Sequence, residues 1–186
     1  SQGPRVPGEE EMDDYMHEVA GRVGYLLTEA FAWHSKAIKG NMTELMKFAR
    51  ETGLALQTVN ILRGLHKDYE RGWIFVPESF CHEVGLGSRE EMFYPENHEL
   101  AMRVVDMLAD KADRHLAEAL QYIKSLPVMH HRIRLFIIWP VFIAARTVAI
   151  SRSNRQALQG QAKVKRSEIK GIIRTTMLLG GSNEFL

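Results

Sequence analysis

Apolar residues recur at intervals of three and four along most of this chain and nowhere alternate over the length of a strand, so its apolar surface can be buried only by packing helix on helix. The first such segment predicts a helix over residues 12–34, carried by Tyr15, Val19, Val23, Leu26, Leu27, Ala30 and Phe31. Asp13 and Asp14 suit its positive N-terminal end. A second helix follows Asn41, with Thr43 able to cap it. It runs through Leu45, Phe48, Leu54, Leu56, Val59 and Leu62 towards Glu70, with Gly72 and Pro77 ending the stretch. After a loop containing Gly85, Gly87 and Pro95, a third segment covers 97–124 and stops ahead of Pro127. The fourth, 130–153, is expected to bend near Pro140, which lacks a backbone donor and crowds the preceding turn. A short fifth helix over 163–178 leads to an irregular tail, 180–186. Long helices joined by short loops predict an all-α fold.

A chain of 186 residues with 45% hydrophobic content is the size of one domain and can bury a substantial core. Its 24 basic and 23 acidic residues leave a formal charge of +1, so no global excess points to nucleic acid and any phosphate binding must be local. Residues 1–11 are rich in Pro, Gly and Glu and lack a secretory pattern, which predicts a disordered lead before a helical domain over 12–179. The apolar stretch 135–149 is shorter than the roughly 20 residues of a spanning helix and holds Pro140 and Arg146, so it is expected to be buried in the core. A single cysteine, Cys81, cannot form an internal disulfide, fits a reducing compartment and reads as an ordinary loop thiol.

The chemistry-bearing pattern lies on the second helix. Gln57, Asn60, Gly64 and Asp68 are spaced by three, four and four, which aligns them on one side of it, flanked by Arg63 and Lys67. By spacing alone this is also what a solvated helix face looks like. It equally suits magnesium-bridged diphosphate, because magnesium takes one or two carboxylates, several waters and phosphate oxygens.

The longer string GLALQTVNILRGLHKDYERGWIFVP resembles the second acidic motif of the squalene/phytoene synthase family, through Gly53, Gln57, Asn60, Ile61, Arg63, Asp68, Arg71, Gly72 and Pro77. The resemblance implies that Asn60 and Asp68 hold metal and that Gln57, Arg63, Lys67 and Arg71 contact the substrate diphosphate. Gly64 stands where the family has an Asp, Lys67 where it has a Glu, and Trp73 at a position that is frequently basic. Metal-binding capacity is therefore reduced, while Lys67 brings a cation able to contact diphosphate.

Upstream, DDYMHEVAGRVGYLL resembles the family helix that opens Tyr-x-x-x-Val-Ala-Gly-x-Val-Gly. This implies that Tyr15 acts in the cyclopropyl-forming first reaction, and that Val19 and Gly24 lie along the hydrocarbon tunnel. Downstream, RLFIIWPVFIAARTVAISRSN and GQAKVKRSEI are similar to the C-terminal part of squalene synthases, which implies tunnel roles for Phe136 and Pro140 and binding of the NADPH phosphate by Lys163 and Lys165. Val141 replaces a commonly polar residue. Asp106 with Asp110, and the pair His130 and His131, match no family site; adjacent histidines on a helix point about 100° apart.

The resemblance covers only the later helices of the isoprenoid synthase bundle and lacks the N-terminal helices with the first Asp-rich motif. It implies a cytoplasmic squalene synthase subunit, with peripheral membrane contact for product release. Such a subunit couples two farnesyl diphosphates through presqualene diphosphate using Mg2+ and NADPH, as a heterodimer with a complementary N-terminal synthase subunit. A fragment of a longer enzyme, or a catalytically degenerate binding or assembly protein, are the alternatives.

Overall fold

The computed structural model describes residues 6–186, and among these the regular structure is helical, with no strand. α1 (Glu9–Met16) passes through a π-helical turn, His17–Gly21, into α2 (Arg22–His34). Then follow α3 (Lys36–Gly40), α4 (Met42–Glu70), α5 (Glu78–Val84), α6 (His98–Ser125), α7 (His131–Ser151) and α8 (Arg166–Leu179). α4 is the central rod: α2, α6 and α7 all pack on it, and α8 packs on α7. Leu54, Leu62, Leu108, Ile123 and Ile138 lie in the core between them.

The expected disordered lead is corrected for residues 6–11; residues 1–5 lie outside the described residues. Val6 is buried, its carbonyl accepts from Glu78 N at 2.8 Å, and Pro7 O accepts from Ser79 N at 3.0 Å. The first amides of a helix have no intrahelical acceptor. Here the N-terminal strand of chain supplies acceptors to α5, and Glu11 caps Gly8 N at 3.0 Å to start α1.

Other boundaries move for local reasons. Thr43 lies inside α4 and the cap position is Asn41, whose side chain instead donates to Ser125 O at 2.6 Å. α4 ends at Glu70, as Gly72 in the sequence suggests. Trp73 N and Gly72 N turn back onto Asp68 O and Tyr69 O at 2.8 and 2.9 Å, with Gly72 at φ +76°, a left-handed terminator that glycine adopts without strain. α5 occupies what the sequence presents as a loop, and Cys81 is a buried helical thiol there, pushed up to about 12 by burial. α7 is longer than its apolar core and, by length and composition, could cross a membrane, yet 44% of the window concerned is buried within the bundle. Pro140 sits inside it, leaving the carbonyl of Phe136 without its usual helical donor. α8 starts at Arg166, so Lys163 and Lys165 lie on the segment leading into it.

Two buried cationic side chains, Lys111 and Arg134, fix the ends of the bundle. Lys111 is almost wholly buried and reaches Asp13 at 2.7 Å and Glu9 at 3.1 Å, while His115 Nδ1 lies 2.7 Å from Glu51. Burial works to lower the His115 pKa, but the neighbouring carboxylates of Asp13, 3.5 Å away, and Glu51 outweigh this and hold it above the usual value. Burial likewise works to raise Asp13, and is outweighed by His115 and Lys111. This cluster locks α1 against α4 and α6. At the other end, Arg134 is fully buried, donating to the carbonyls of Gly180 (3.0 Å), Ile123 (2.9 Å) and Leu126 (2.7 Å) and to Asn183 Oδ1 (2.7 Å). The tail is irregular but docked.

Candidate functional site: a cleft between α2 and α4

Two glycines bring α2 and its π turn onto α4 at backbone contact. A Cβ on Gly24 would sit 2.0 Å from Ala49 O, and one on Gly53 would sit 2.4 Å from Ala20 O. No side chain can separate the helices at these points. The flanking residues then leave an apolar cleft of about 160 Å3, lined by Val19, Val23, Gly24 and Leu27 on one wall and Thr52, Gly53 and Leu56 on the other. Ile137 of α7 and Tyr122 of α6 also line it. Tyr122 is invisible as a site residue in the sequence, where it is one more member of an apolar helical face. Its hydroxyl hydrogen-bonds Thr28 Oγ1 at 2.7 Å, and Thr28 in turn donates to Gly24 O, so the polar atoms at this wall are satisfied.

Gln57 and Asn60 line the cleft along α4, in weak contact at 3.5 Å. Further along the same side lies Asp68, half-buried, whose pKa is raised by burial against the lowering effect of Arg71 and Lys67. Tyr15 is placed near it: the phenol is held protonated by burial and then by the charge of Asp68, and its ring stacks on Phe75 with centroids 4.9 Å apart. The α1 clamp and the Gly72 turn, which delivers Phe75, thus set Tyr15 beside the α4 row. A protonated phenol offers both an O–H and a π face.

Arg63 and Lys67 are exposed on α4, and Arg71 is exposed at its C-cap. Arg63 and Asn60 also line a second hollow of about 330 Å3 between α4 and α7, and Pro140 and Thr147 form its far wall. Pro140 therefore belongs to this neighbouring hollow and not to the main cleft. Phe136 lies outside both, 55% exposed and edge-on to Phe31, because the helical turn that aims Ile137 at α4 rotates Phe136 outward. Together with Val19, Val23, Leu26 and Trp33 (92% exposed), Phe136 contributes to an apolar surface on α2 and α7.

Lys163 and Lys165 share a polar hollow of about 510 Å3 with Asn154, Gln156 and Gln161, beside the Arg146–Glu168 ion pair. The sequence separates these residues by a turn; the α7–α8 packing brings them together. Asp106 and Asp110 are occupied structurally: Ser153 N donates to Asp106, and Arg152 bridges Asp110 and Asp113. His130 pairs with Ser35 at 2.6 Å, and His131 lies 3.1 Å from Met177 O.

Along the α4 row magnesium would find one carboxylate, Asp68, and no closed cage of protein donors. Asn60 and Asp68 are eight residues apart, about 12 Å along the helix, too far to chelate one ion whose ligands lie about 2.1 Å from it. Among the described residues no group of three or more His, Cys, Asp or Glu side chains could hold a metal ion.

A strand-free bundle whose central helix walls an elongated apolar cleft, with amides, cations and a phenol along one side, is built on the architecture of the all-α isoprenoid synthases. The fold is that of a solved complex of TcSQS with the ligand E5700, superimposing at a TM-score of 0.82 with 21% identity over 91% of this chain and 49% of that one. The squalene/phytoene synthase family model matches residues 2–168, and the chain belongs to this family. It is 28% identical over 165 residues to squalene synthase of Rattus norvegicus and 28% identical over 164 residues to that of Schizosaccharomyces pombe, in each case over 88% of this chain. It spans 38% and 35% of the length of those two relatives.

Proposed function

We propose that this chain is the C-terminal portion of a squalene synthase-type prenyltransferase, acting as a subunit that a complementary helical unit completes. The supporting observation is the placement of Tyr15 beside Asp68 along the α4 row that continues into the apolar cleft. A farnesyl chain is apolar along its length and anionic at one end, and this arrangement matches that polarity. In this reading Val19, Gly24, Leu56 and Tyr122 contact the hydrocarbon, while Gln57, Asn60, Arg63, Lys67 and Arg71 face the diphosphate.

The proposed first reaction joins two farnesyl diphosphates, releasing one diphosphate and a proton, to give presqualene diphosphate. Tyr15 is proposed to relay the released proton through its hydroxyl to the departing diphosphate as the cyclopropyl ring closes, with its π face beside the developing carbocation. In the second, hydride from NADPH replaces the remaining diphosphate to give squalene. Lys163 and Lys165 line a hollow open enough for a nucleotide phosphate and act as point charges there. Any magnesium requires carboxylates beyond Asp68, and the complementary unit carrying the first Asp-rich motif is proposed to bring them. The apolar surface around Val19, Leu26, Trp33 and Phe136 is where that unit is proposed to dock. The family reading also supports a cytoplasmic site of action with peripheral membrane contact.

The test is co-expression with a helical protein bearing an unpaired Asp-x-x-x-Asp motif, followed by incubation with farnesyl diphosphate, Mg2+ and NADPH. The expected result is a stable heterodimer that forms squalene, and that stops at presqualene diphosphate when NADPH is omitted. A stable complex yielding neither product would reject the enzyme reading.

A further inference from the structure

We propose that this chain engages diphosphate directly through side-chain cations, with no resident magnesium needed at α4. The proposal rests on the diphosphate reading of α4 given above and departs from it in who neutralises the leaving group.

Arg63, Lys67 and Arg71 recur every fourth residue, so their side chains project from one exposed face with neighbouring attachment points about 6 Å apart. Arg63 and Lys67 have no ion-pair partner among the described residues, and Arg71 has only a 4.0 Å contact with Asp68 Oδ1. Three cations against the carboxylates of Asp68 and Glu70 leave this stretch one charge positive, and Glu70 is already engaged by His66 at 3.5 Å. A dication placed there would meet repulsion on both sides, whereas a diphosphate would meet donors at both of its phosphates. Guanidinium groups bind phosphate oxygens in pairs, and an ammonium binds as a point charge.

Asp68 is also turned back along its own helix. A Cβ built on Gly64 would lie 2.7 Å from Asp68 Oδ2, so Asp68 folds back over the helix into the space that a side chain at 64 would fill. Gly64 therefore does more than omit a ligand: it provides the berth in which the Asp68 carboxylate rests. The far end of Asp68 is flexible, so a side chain at 64 could displace it outward, and the arrangement can be reversed by substitution.

The experiment is calorimetric titration of the chain with farnesyl diphosphate in EDTA and again in excess magnesium. Binding in EDTA is expected within about threefold of that in magnesium. Lys67→Glu should weaken the EDTA binding about tenfold or more, the loss of one charge-assisted contact. Gly64→Asp combined with Lys67→Glu should bind only when magnesium is present. Positions 64 and 67 lie near the surface, and an unchanged thermal melt checks that the variants fold. Binding of the unsubstituted chain that requires magnesium would overturn this inference while leaving the prenyl diphosphate reading intact. No binding in either condition would overturn this inference, and no binding by the co-expressed complex either would overturn both.

Discussion

Gly24→Ala is expected to destabilise the chain by about 3 kcal/mol and to lower its Tm by about 10 °C, a large loss for adding one methyl group. The added carbon would lie 2.0 Å from Ala49 O and 2.8 Å from Ala49 C, both backbone atoms that no rotamer change can move. α2 must therefore slide off α4, breaking the reciprocal contact at Gly53 and Ala20 and loosening the Thr28–Tyr122 hydrogen bond. Because the same crossing shapes the cleft, farnesyl diphosphate binding should weaken with stability. Alanine at Gly171, an exposed helical position where a Cβ meets nothing within 4 Å, is the matched control and should raise stability slightly. Thermal melts of the two variants check both. A Gly24→Ala protein as stable as the parent would mean that the helices do not approach this closely.

Arg134→Leu is the other substitution expected to be severe, costing about 3–5 kcal/mol. Leucine is apolar and fits an apolar helix, so simple hydrophobicity predicts a gain. The guanidinium, however, supplies the donors that satisfy Ile123 O and Leu126 O at the end of α6 and Gly180 O at the start of the tail. Without it, buried carbonyls lose their partners and the tail loses its anchor through Asn183. Chemical denaturation measures the loss, and hydrogen exchange should show residues 180–186 and the last turn of α6 opening first. Unchanged stability would contradict the role assigned to this buried charge.

The helices that position the cleft are legible in the sequence because they are long. Residues 97–124 show many turns of one apolar stripe, and α6 follows that stripe to within one residue at each end. α5 is not legible, since seven residues make too little of a period, and its start depends on acceptors from Val6 and Pro7. The glycine contacts are visible only as small residues, and which backbone each one meets is decided by the crossing of two helices. Lys111 and Arg134 look like surface charges. Their burial depends on partners 102 and 46 residues away in sequence, Glu9 and Gly180, so no local pattern reports it. The row Gln57, Asn60, Gly64, Asp68, flanked by Arg63 and Lys67, is legible from helical spacing, and Tyr15 from its motif. That Tyr15 approaches Asp68 is a tertiary fact, produced by the α1 clamp and the turn at Gly72. Phe136 shows the converse limit: one step around α7 separates it from Ile137, and a motif does not say which of two neighbours faces inward.

The central claim is that Tyr15, set beside Asp68 and the α4 row, acts on a prenyl diphosphate. Its most direct test is Tyr15→Phe in the active heterodimer, with product formation from farnesyl diphosphate as the readout. Phenylalanine keeps the stack on Phe75 and removes only the hydroxyl, so assembly and Tm should be unchanged while presqualene diphosphate formation falls by about 100-fold or more. Unchanged turnover in a correctly assembled Tyr15→Phe complex would contradict the account.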